Sequence, residues 1–120
     1  MPLVVADAVS SALHNALNGI SVRQNVIADN IANIDTPGYR ASSVDFESAL
    51  RGAIADGTLT AETRTGVATT PTSTPVGPNG NNVDLRKETM AAMQSVFQYQ
   101  LVTRAVNDRY TLVRTVAGAM

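Results

Sequence analysis

The stretch "NIANIDTPGYR", Asn30 to Arg40, decides the fold because it ends the first long helix that the sequence predicts. Pro37 disfavours helical backbone at Thr36. The four residues "TPGY" fit a type II turn, which has Pro at its second position and needs positive φ, hence Gly, at its third. The side-chain amides of Asn30 and Asn33 can bond the carbonyls that lack partners at a helix end. We therefore predict a helix stop followed by a tight turn.

Both ends of the chain have the apolar periodicity of long helices. Residues 3–34 and 85–120 repeat apolar positions at alternating spacings of four and three, which is typical of a coiled-coil-like seam. Asp84 is a good N-cap for the second of these helices. We expect the two seams to face each other within one chain. The predicted intrachain seam consists of Leu13, Leu17, Ile20, Ile27 and Ile31 in the first helix and Val96, Tyr99, Val106, Tyr110 and Val113 in the last.

A second apolar row runs beside each seam, so each helix carries an apolar arc wider than one partner helix covers. A short segment with Val44, Phe46 and Leu50 is too small to cover the excess. We therefore expect the second rows to contact other subunits. This predicted intersubunit stripe consists of Val5, Val9, Ala12 and Ala16 in the first helix and Met93, Phe97 and Leu101 in the last.

Gly19 lies within the first predicted helix, where a glycine costs about 1 kcal/mol relative to alanine. It is either simply tolerated or present because another element approaches closely, and both explanations stay open.

The middle of the chain has a different character. Residues 41–51, "ASSVDFESALR", predict one short helical turn. Residues 52–83 are rich in Thr, Gly and Pro and hold too few large apolar side chains to offset the entropy of ordering. We predict a flexible loop there, with a short extended piece near Leu59.

The predicted fold is all-α, with two long terminal helices paired as a coiled-coil-like hairpin and a flexible Thr/Pro/Gly-rich central loop. Residues 1–36 and 84–120 form one discontinuous coiled-coil domain in this interpretation. Residues 37–51 form a turn and a short helical segment, and residues 52–83 form the loop.

The composition argues against a catalytic function. The chain has 120 residues, nine basic and ten acidic side chains, a net charge of −1 and no cysteine. It therefore offers no electrostatic attraction to nucleic acid, no disulfide and no thiolate metal site. His14 has no second histidine with which to bind a metal, and the pairs Asp29/Asp35 and Asp45/Glu47 lack the burial that tunes an acid and a base. We predict no catalytic residue, no metal and no cofactor.

A helix stop alone does not explain two asparagines three residues apart beside Ile31, where buried amides need specific partners. The pair of motifs, Asn30-Ile31-Ala32-Asn33 and Thr36-Pro37-Gly38-Tyr39, resembles the signature of the bacterial flagellar rod and hook family of axial proteins. The continuation "TPGYRASSVDFESAL" and the stretch "GNNVDL", from Gly80 to Leu85, are similar to the members at the base of the rod. Arg86 and Ser95 depart from that pattern.

The resemblance implies a structural subunit rather than an enzyme. It implies that the terminal helices pair as a coiled coil lining a narrow channel, and that the chain is exported unfolded by the flagellar type III apparatus without a cleaved signal. The implied partners are copies of itself, other rod proteins, and ring and export-gate proteins at the rod base, with no nucleic acid and no membrane insertion. The implied location is the periplasmic rod of the basal body.

Two other kinds of protein share the predicted helical hairpin. A small secreted protein of the Trp-X-Gly type also lacks a cleaved signal, but this chain has no Trp and a long loop where such hairpins turn tightly. A plain coiled-coil adaptor would not need the two motifs around the helix stop.

Overall fold

The computed structural model describes residues 2–60 and 65–119, and the side chains of residues 8–60 and 65–118. The elements follow in the order α1 (Pro2–Ala32), β1 (Ser42–Val44), α2 (Phe46–Ala55), β2 (Thr69–Pro71) and α3 (Leu85–Ala119). The molecule is elongated, 66 Å by 27 Å by 16 Å. α1 and α3 run antiparallel along it, since Asn30 bonds Glu88 at one end and Leu13 lies beside Tyr110 towards the other. The two long terminal helices predicted from periodicity are present.

The start of α3 confirms the predicted cap. Asp84 accepts a hydrogen bond from the backbone N–H of Lys87 at 3.2 Å, which satisfies one of the amides that lack a partner in the first helical turn.

The prediction of an all-α fold is wrong, because the chain is mostly helical but also holds a two-stranded sheet. β1 pairs antiparallel with β2, with Ser42 opposite Pro71 and Val44 opposite Thr69. The pairing continues where the backbone N–H of Thr72 donates to the carbonyl of Ala41 at 3.0 Å. Strands of three residues are too short to show a two-residue alternation, so the sequence pattern could not reveal them.

The short helical turn predicted within residues 41–51 is a ten-residue helix, α2. Asp45 caps it, since its carboxylate accepts from the backbone N–H of Ser48 at 3.2 Å and from the Ser48 hydroxyl at 2.7 Å. Gly57, at φ +69°, follows the end of the helix.

The segment predicted as a flexible loop makes specific contacts in its described parts. Leu59 is buried, and the backbone N–H of Thr65 donates to Asn15 Oδ1 at 2.9 Å. The extended piece predicted near Leu59 is not a strand; the strand in this segment is β2. The predicted flexibility of residues 52–83 stays a prediction, and residues 61–64 lie outside the described part.

The core sits where α2 and β1 cover the middle of α1. Ile20, Val44 and Phe46 are buried against one another, and Val26 and Val102 pack at the edge of this cluster. Gly19 is buried directly beneath the Phe46 ring: a Cβ atom built on Gly19 would lie 2.2 Å from that ring. The glycine is therefore present because α2 approaches α1 closely, which decides between the two explanations left open by the sequence.

The close approach gives a stability prediction. Gly19→Ala gains helix propensity of about 1 kcal/mol but forces the Phe46 ring out of its site, so we expect a net loss of about 1–3 kcal/mol in the free energy of unfolding. Gly52→Ala is the matched control, because Gly52 also lies within a helix but a Cβ there meets nothing within 4 Å. Urea unfolding should show Gly52→Ala at or above wild-type stability. Equal stability of both variants would contradict the packing of Phe46 on Gly19.

Candidate functional site

Asn30 is the centre of a buried polar network at the end of α1. It is 1% exposed, and its Nδ2 donates to the carbonyl of Ser42 at 2.8 Å and to Glu88 Oε1 at 3.1 Å. Its Oδ1 accepts from the Tyr39 hydroxyl at 3.1 Å and from the backbone N–H of Ser42 at 3.2 Å. An amide side chain has two donor hydrogens and two acceptor lone pairs, so Asn30 is fully satisfied. One side chain thus joins α1, the turn, β1 and α3.

The two motif asparagines have different roles. Asn33 Nδ2 donates to the carbonyl of Asp29 at 2.8 Å, so it bonds a helix-end carbonyl as expected. That carbonyl does not lack a partner, because it also accepts from the Asn33 backbone N–H at 3.2 Å. For Asn30 that expectation is wrong. Because Asn30 points towards α3, its amide bonds the backbone of β1 and a carboxylate of the other helix.

Asn81 and Asn82, from the stretch "GNNVDL", complete the network from the other side. Asn81 Nδ2 donates to the carbonyls of Asn33 and Thr36, both at 2.8 Å, and so satisfies groups exposed by the end of α1. Asn82 Oδ1 accepts from the backbone N–H of Ala41 at 2.6 Å. We call Asn30, Asn33, Asn81 and Asn82 the asparagine network. Its hydrogen bonds connect the residues just before α3 to the residues at the end of α1.

The predicted turn is confirmed. Gly38 has φ +78°, and the backbone N–H of Tyr39 donates to the carbonyl of Thr36 at 3.2 Å. Gly80 also has positive φ, and a Cβ built on it would lie 3.3 Å from Gly38 Cα. The two sequence motifs therefore pack backbone against backbone, and the Gly38 N–H donates to the carbonyl of Asn79 at 2.9 Å.

The environment keeps Tyr39 protonated. Burial, together with the carboxylates of Asp29 and Glu88, raises the pKa of Tyr39 above its ordinary value. The phenol therefore stays a donor to Asn30, which is the structural role its position gives it.

Arg23 forms a second hub, halfway along α1. Its guanidinium donates to Glu47 of α2 at 2.9 and 2.5 Å, to the carbonyl of Val44 at 2.6 Å and to Gln98 Oε1 of α3 at 3.0 Å. It also lies 4.8 Å from the centre of the Phe46 ring. Arg23 was not predicted as a site residue from the sequence. It is the only Lys or Arg among the first 39 residues, and that isolation was the available signal.

The face of α3 that lies against α1 is polar and small. Its covered row follows spacings of three and four and consists of Glu88, Ala91, Ser95, Gln98, Val102, Ala105 and Arg109. One hydroxyl in this row, Ser95 Oγ, is buried without a hydrogen-bond partner in the described structure. Such a group costs about 1–3 kcal/mol, so the row holds α1 less firmly than an apolar row of the same length.

The predicted seam differs between the two helices. In α1 its members Leu13, Leu17, Ile20, Ile27 and Ile31 are all buried or half-buried. In α3 the covered row lies one residue before the predicted one, and Val96, Tyr99, Tyr110 and Val113 are 46–61% exposed. Four predicted members do meet at one end, where they line a cavity of about 190 Å³: Leu13, Val106, Tyr110 and Val113.

Four large apolar side chains of α3 form an exposed row at helical spacing. We call Met90, Met93, Phe97 and Leu101 the outer stripe; they repeat at helical spacing, lie outside the covered row and are 57–68% exposed. The same face then turns polar at Arg104 and Asp108. Exposed apolar patches of this kind, bounded by polar residues, mark interaction surfaces.

The α1 part of the predicted intersubunit stripe is less open. Val9 is exposed, Ala12 is half-buried and Ala16 packs against the core cluster of Ile20 and Phe46. The Val5 side chain lies outside the described residues. An intersubunit role for either row stays a prediction.

The described residues offer little for catalysis. Across residues 2–60 and 65–119, no group of three acidic or histidine side chains could hold a metal ion, and His14 is exposed. None of the described helices is both long and apolar enough to cross a membrane. What the described residues present instead is an exposed apolar stripe on α3 and two polar hubs that join the helices.

Comparison with known proteins finds one matching family model and several similar sequences. Residues 12–40 match the family model described as "Flagella basal body rod protein". Three relatives are described as "Flagellar basal body rod protein FlgB". The protein of Bacillus subtilis is 37% identical over 116 residues, covering 87% of this chain and 88% of the relative. That of Borreliella burgdorferi is 34% identical over 114 residues, covering 75% and 81%. That of Escherichia coli is 32% identical over 121 residues, covering 86% and 88%.

These matches define the class of protein: a structural protein of the flagellar rod and not an enzyme. The chain belongs to the FlgB family of flagellar basal body rod proteins, and it is a structural component of the basal body rod.

The asparagine network predicts a large effect of a nearly isosteric substitution. Asn30→Asp replaces the amide donor by an oxygen that faces Glu88 Oε1 and the carbonyl of Ser42, so two buried acceptors lose their donor. We expect urea unfolding to show a loss of at least about 2 kcal/mol. Asn25→Asp, at an exposed position of the same helix, should change stability little. Similar losses in both variants would refute the role of Asn30 as a hub.

The Arg23 hub predicts a pH dependence. The hydrogen bonds from Arg23 are the main cause that lowers the pKa of Glu47 below its ordinary value of 4.5. Since the folded pKa is the lower one, the stabilisation is fully present above the ordinary value and is lost as the pH falls through the folded pKa. Because the Glu47 side chain is 38% exposed, we expect at most about 1 kcal/mol.

The measurement is the unfolding free energy of wild type minus that of Glu47→Gln, followed from pH 7 down into the acid range. The difference should be constant at first and then shrink below the ordinary carboxyl pKa. In an Arg23→Met background the same comparison should lose this pH dependence. A difference that grows on acidification would contradict the account.

Proposed function

We propose that this chain is a building block of the proximal rod, at the base of the flagellum, and that it polymerises through its terminal helices into the hollow drive shaft. In this proposal its partners are copies of itself, other rod proteins, and the ring and export-gate proteins at the rod base. It reaches the periplasmic part of the basal body through the flagellar type III apparatus without a cleaved signal.

The observation that carries the proposal is the outer stripe. Fully burying an exposed Leu, Met or Phe side chain contributes about 1.5–3 kcal/mol. The four side chains of the outer stripe are more than half exposed, so covering each of them would contribute roughly 1 kcal/mol or more of burial free energy. The contact between α1 and the covered row of α3 leaves these four side chains exposed. Contact with a neighbouring subunit can bury them.

The weak pairing of α1 with α3 supports the same proposal. A helix pair that buries the unpartnered Ser95 hydroxyl and leaves its larger apolar side chains outside gains stability when a neighbour covers those apolar side chains. A chain exported unfolded benefits from such an arrangement, because folding and incorporation then reinforce each other.

The test is a charge placed in the outer stripe. Phe97→Asp removes apolar contact and puts a carboxylate into the proposed interface, which should weaken subunit association by about 3 kcal/mol, a hundredfold or more. In a strain whose own copy of the gene is deleted, we expect Phe97→Asp to restore neither swimming nor rods in purified basal bodies. Asn107→Asp, which adds the same charge at another exposed position of α3, should restore both.

Circular dichroism of the purified Phe97→Asp variant should match that of wild type, because Phe97 lies outside the core. Rods built normally from Phe97→Asp would overturn the assignment of the outer stripe to a subunit interface.

A further inference from the structure

Met90 and Met93 place two thioether sulfurs side by side on the outer stripe. They are three residues apart, which puts them on neighbouring turns of one helix face, and both side chains are more than half exposed. The chain has no cysteine, and these are the only sulfur-containing side chains between residues 2 and 119. No thiol within this chain therefore competes with them for an oxidant.

We propose that Met90 and Met93 are an oxidation-sensitive site that controls incorporation of the subunit. The oxidant is a peroxide, a two-electron acceptor, and each sulfur consumes one peroxide molecule. The peroxide transfers one oxygen atom to the sulfur, the thioether is oxidised to the sulfoxide, and the peroxide is reduced to water or an alcohol. The inference rests on the proposed function, because it needs the outer stripe to be a subunit contact.

Oxidation at these positions leaves the fold of the single chain intact. The asparagine network, the Arg23 contacts and the cluster around Phe46 all lie away from the outer stripe. Neither methionine belongs to the buried core. The modified side chain stays in water until a neighbouring subunit covers it.

The effect appears when the stripe is covered. A sulfoxide is polar and changes how a methionine packs in an apolar interface. A polar group buried there without a partner disfavours the contact, so we expect each sulfoxide to raise the dissociation constant of the subunit contact about tenfold. Two sulfoxides on one face act on the same interface.

The site is open only before incorporation. A subunit already covered by its neighbour shields both sulfurs, whereas a free subunit exposes them. Sulfoxides are reduced back by methionine sulfoxide reductases, so the block is reversible for a chain still waiting to assemble. Oxidation by peroxide thus delays the assembly of new rods and leaves finished rods unaffected.

The test compares wild type with Met90→Leu/Met93→Leu, in which volume is nearly conserved. Both proteins are treated with hydrogen peroxide, checked by peptide mass for added oxygen, and examined by sedimentation velocity and by circular dichroism. The Leu variant still carries Met1 and Met120, so the comparison isolates the two stripe residues. We expect peroxide to weaken association of wild type about tenfold or more, with unchanged helicity, and to leave the Leu variant unaffected. Methionine sulfoxide reductase should restore the wild type.

A second variant, Met90→Gln/Met93→Gln, presents a polar side chain of similar length without oxidant. In the deletion strain it should fail to restore rods, while the Leu variant restores them.

Oxidised wild type that associates as well as untreated protein would overturn the inference and leave the proposed function standing. Equal loss in the oxidised Leu variant would place the effect at the terminal methionines and overturn it too. Failure of the untreated Leu and wild-type proteins to associate or build rods would instead overturn the proposed function itself.

Discussion

Two polar contacts fix how α3 is turned against α1. Asn30 holds the Glu88 carboxylate at 3.1 Å, and Arg23 holds Gln98 at 3.0 Å. Both α3 residues lie in the same covered row, ten residues apart, so α3 cannot rotate about its axis without breaking both. Because amides and guanidinium groups need specific partners when they leave water, these contacts are more directional than apolar packing. They determine which face of α3 is left for other molecules.

The outcome is a helix with its apolar side chains on the outside. An isolated globular domain would turn Met93, Phe97 and Leu101 inward and leave Glu88 and Gln98 in water. Here the reverse holds. The arrangement is costly for a monomer, and in the proposed assembly a neighbouring subunit supplies the apolar contact that the partner helix does not.

Much of the fold could be predicted from the sequence. Apolar periodicity gave both long helices, Pro37 and Gly38 gave the turn, and Asp84 gave the cap, because each depends on local backbone geometry. The all-α prediction failed at β1 and β2, since three-residue strands carry no readable pattern. The length of α2 depends on the Asp45 cap and on the fit of Phe46 over Gly19, which is a tertiary contact.

The candidate site was harder to predict for a physical reason. Helical periodicity assumes that apolar residues face inward, and that assumption placed the α3 seam one residue beyond the row that is covered. Asn30 and Arg23 decide the rotation instead, and a polar contact between residues 58 or 75 positions apart leaves no periodic signal. The motif around Asn30 marked the right place in the chain, but its partner Glu88 could be found only in three dimensions.

The central claim is that α3 is held with its apolar face outward until a neighbour covers it. Thiol labelling of single cysteines, introduced as Ser95→Cys or Phe97→Cys into a chain that has none of its own, tests this directly. In the free subunit we predict slow labelling at position 95 and fast labelling at position 97, and in purified basal bodies we predict protection at both. Equal labelling at the two positions in the free subunit, or continued fast labelling at position 97 in the rod, would contradict the account.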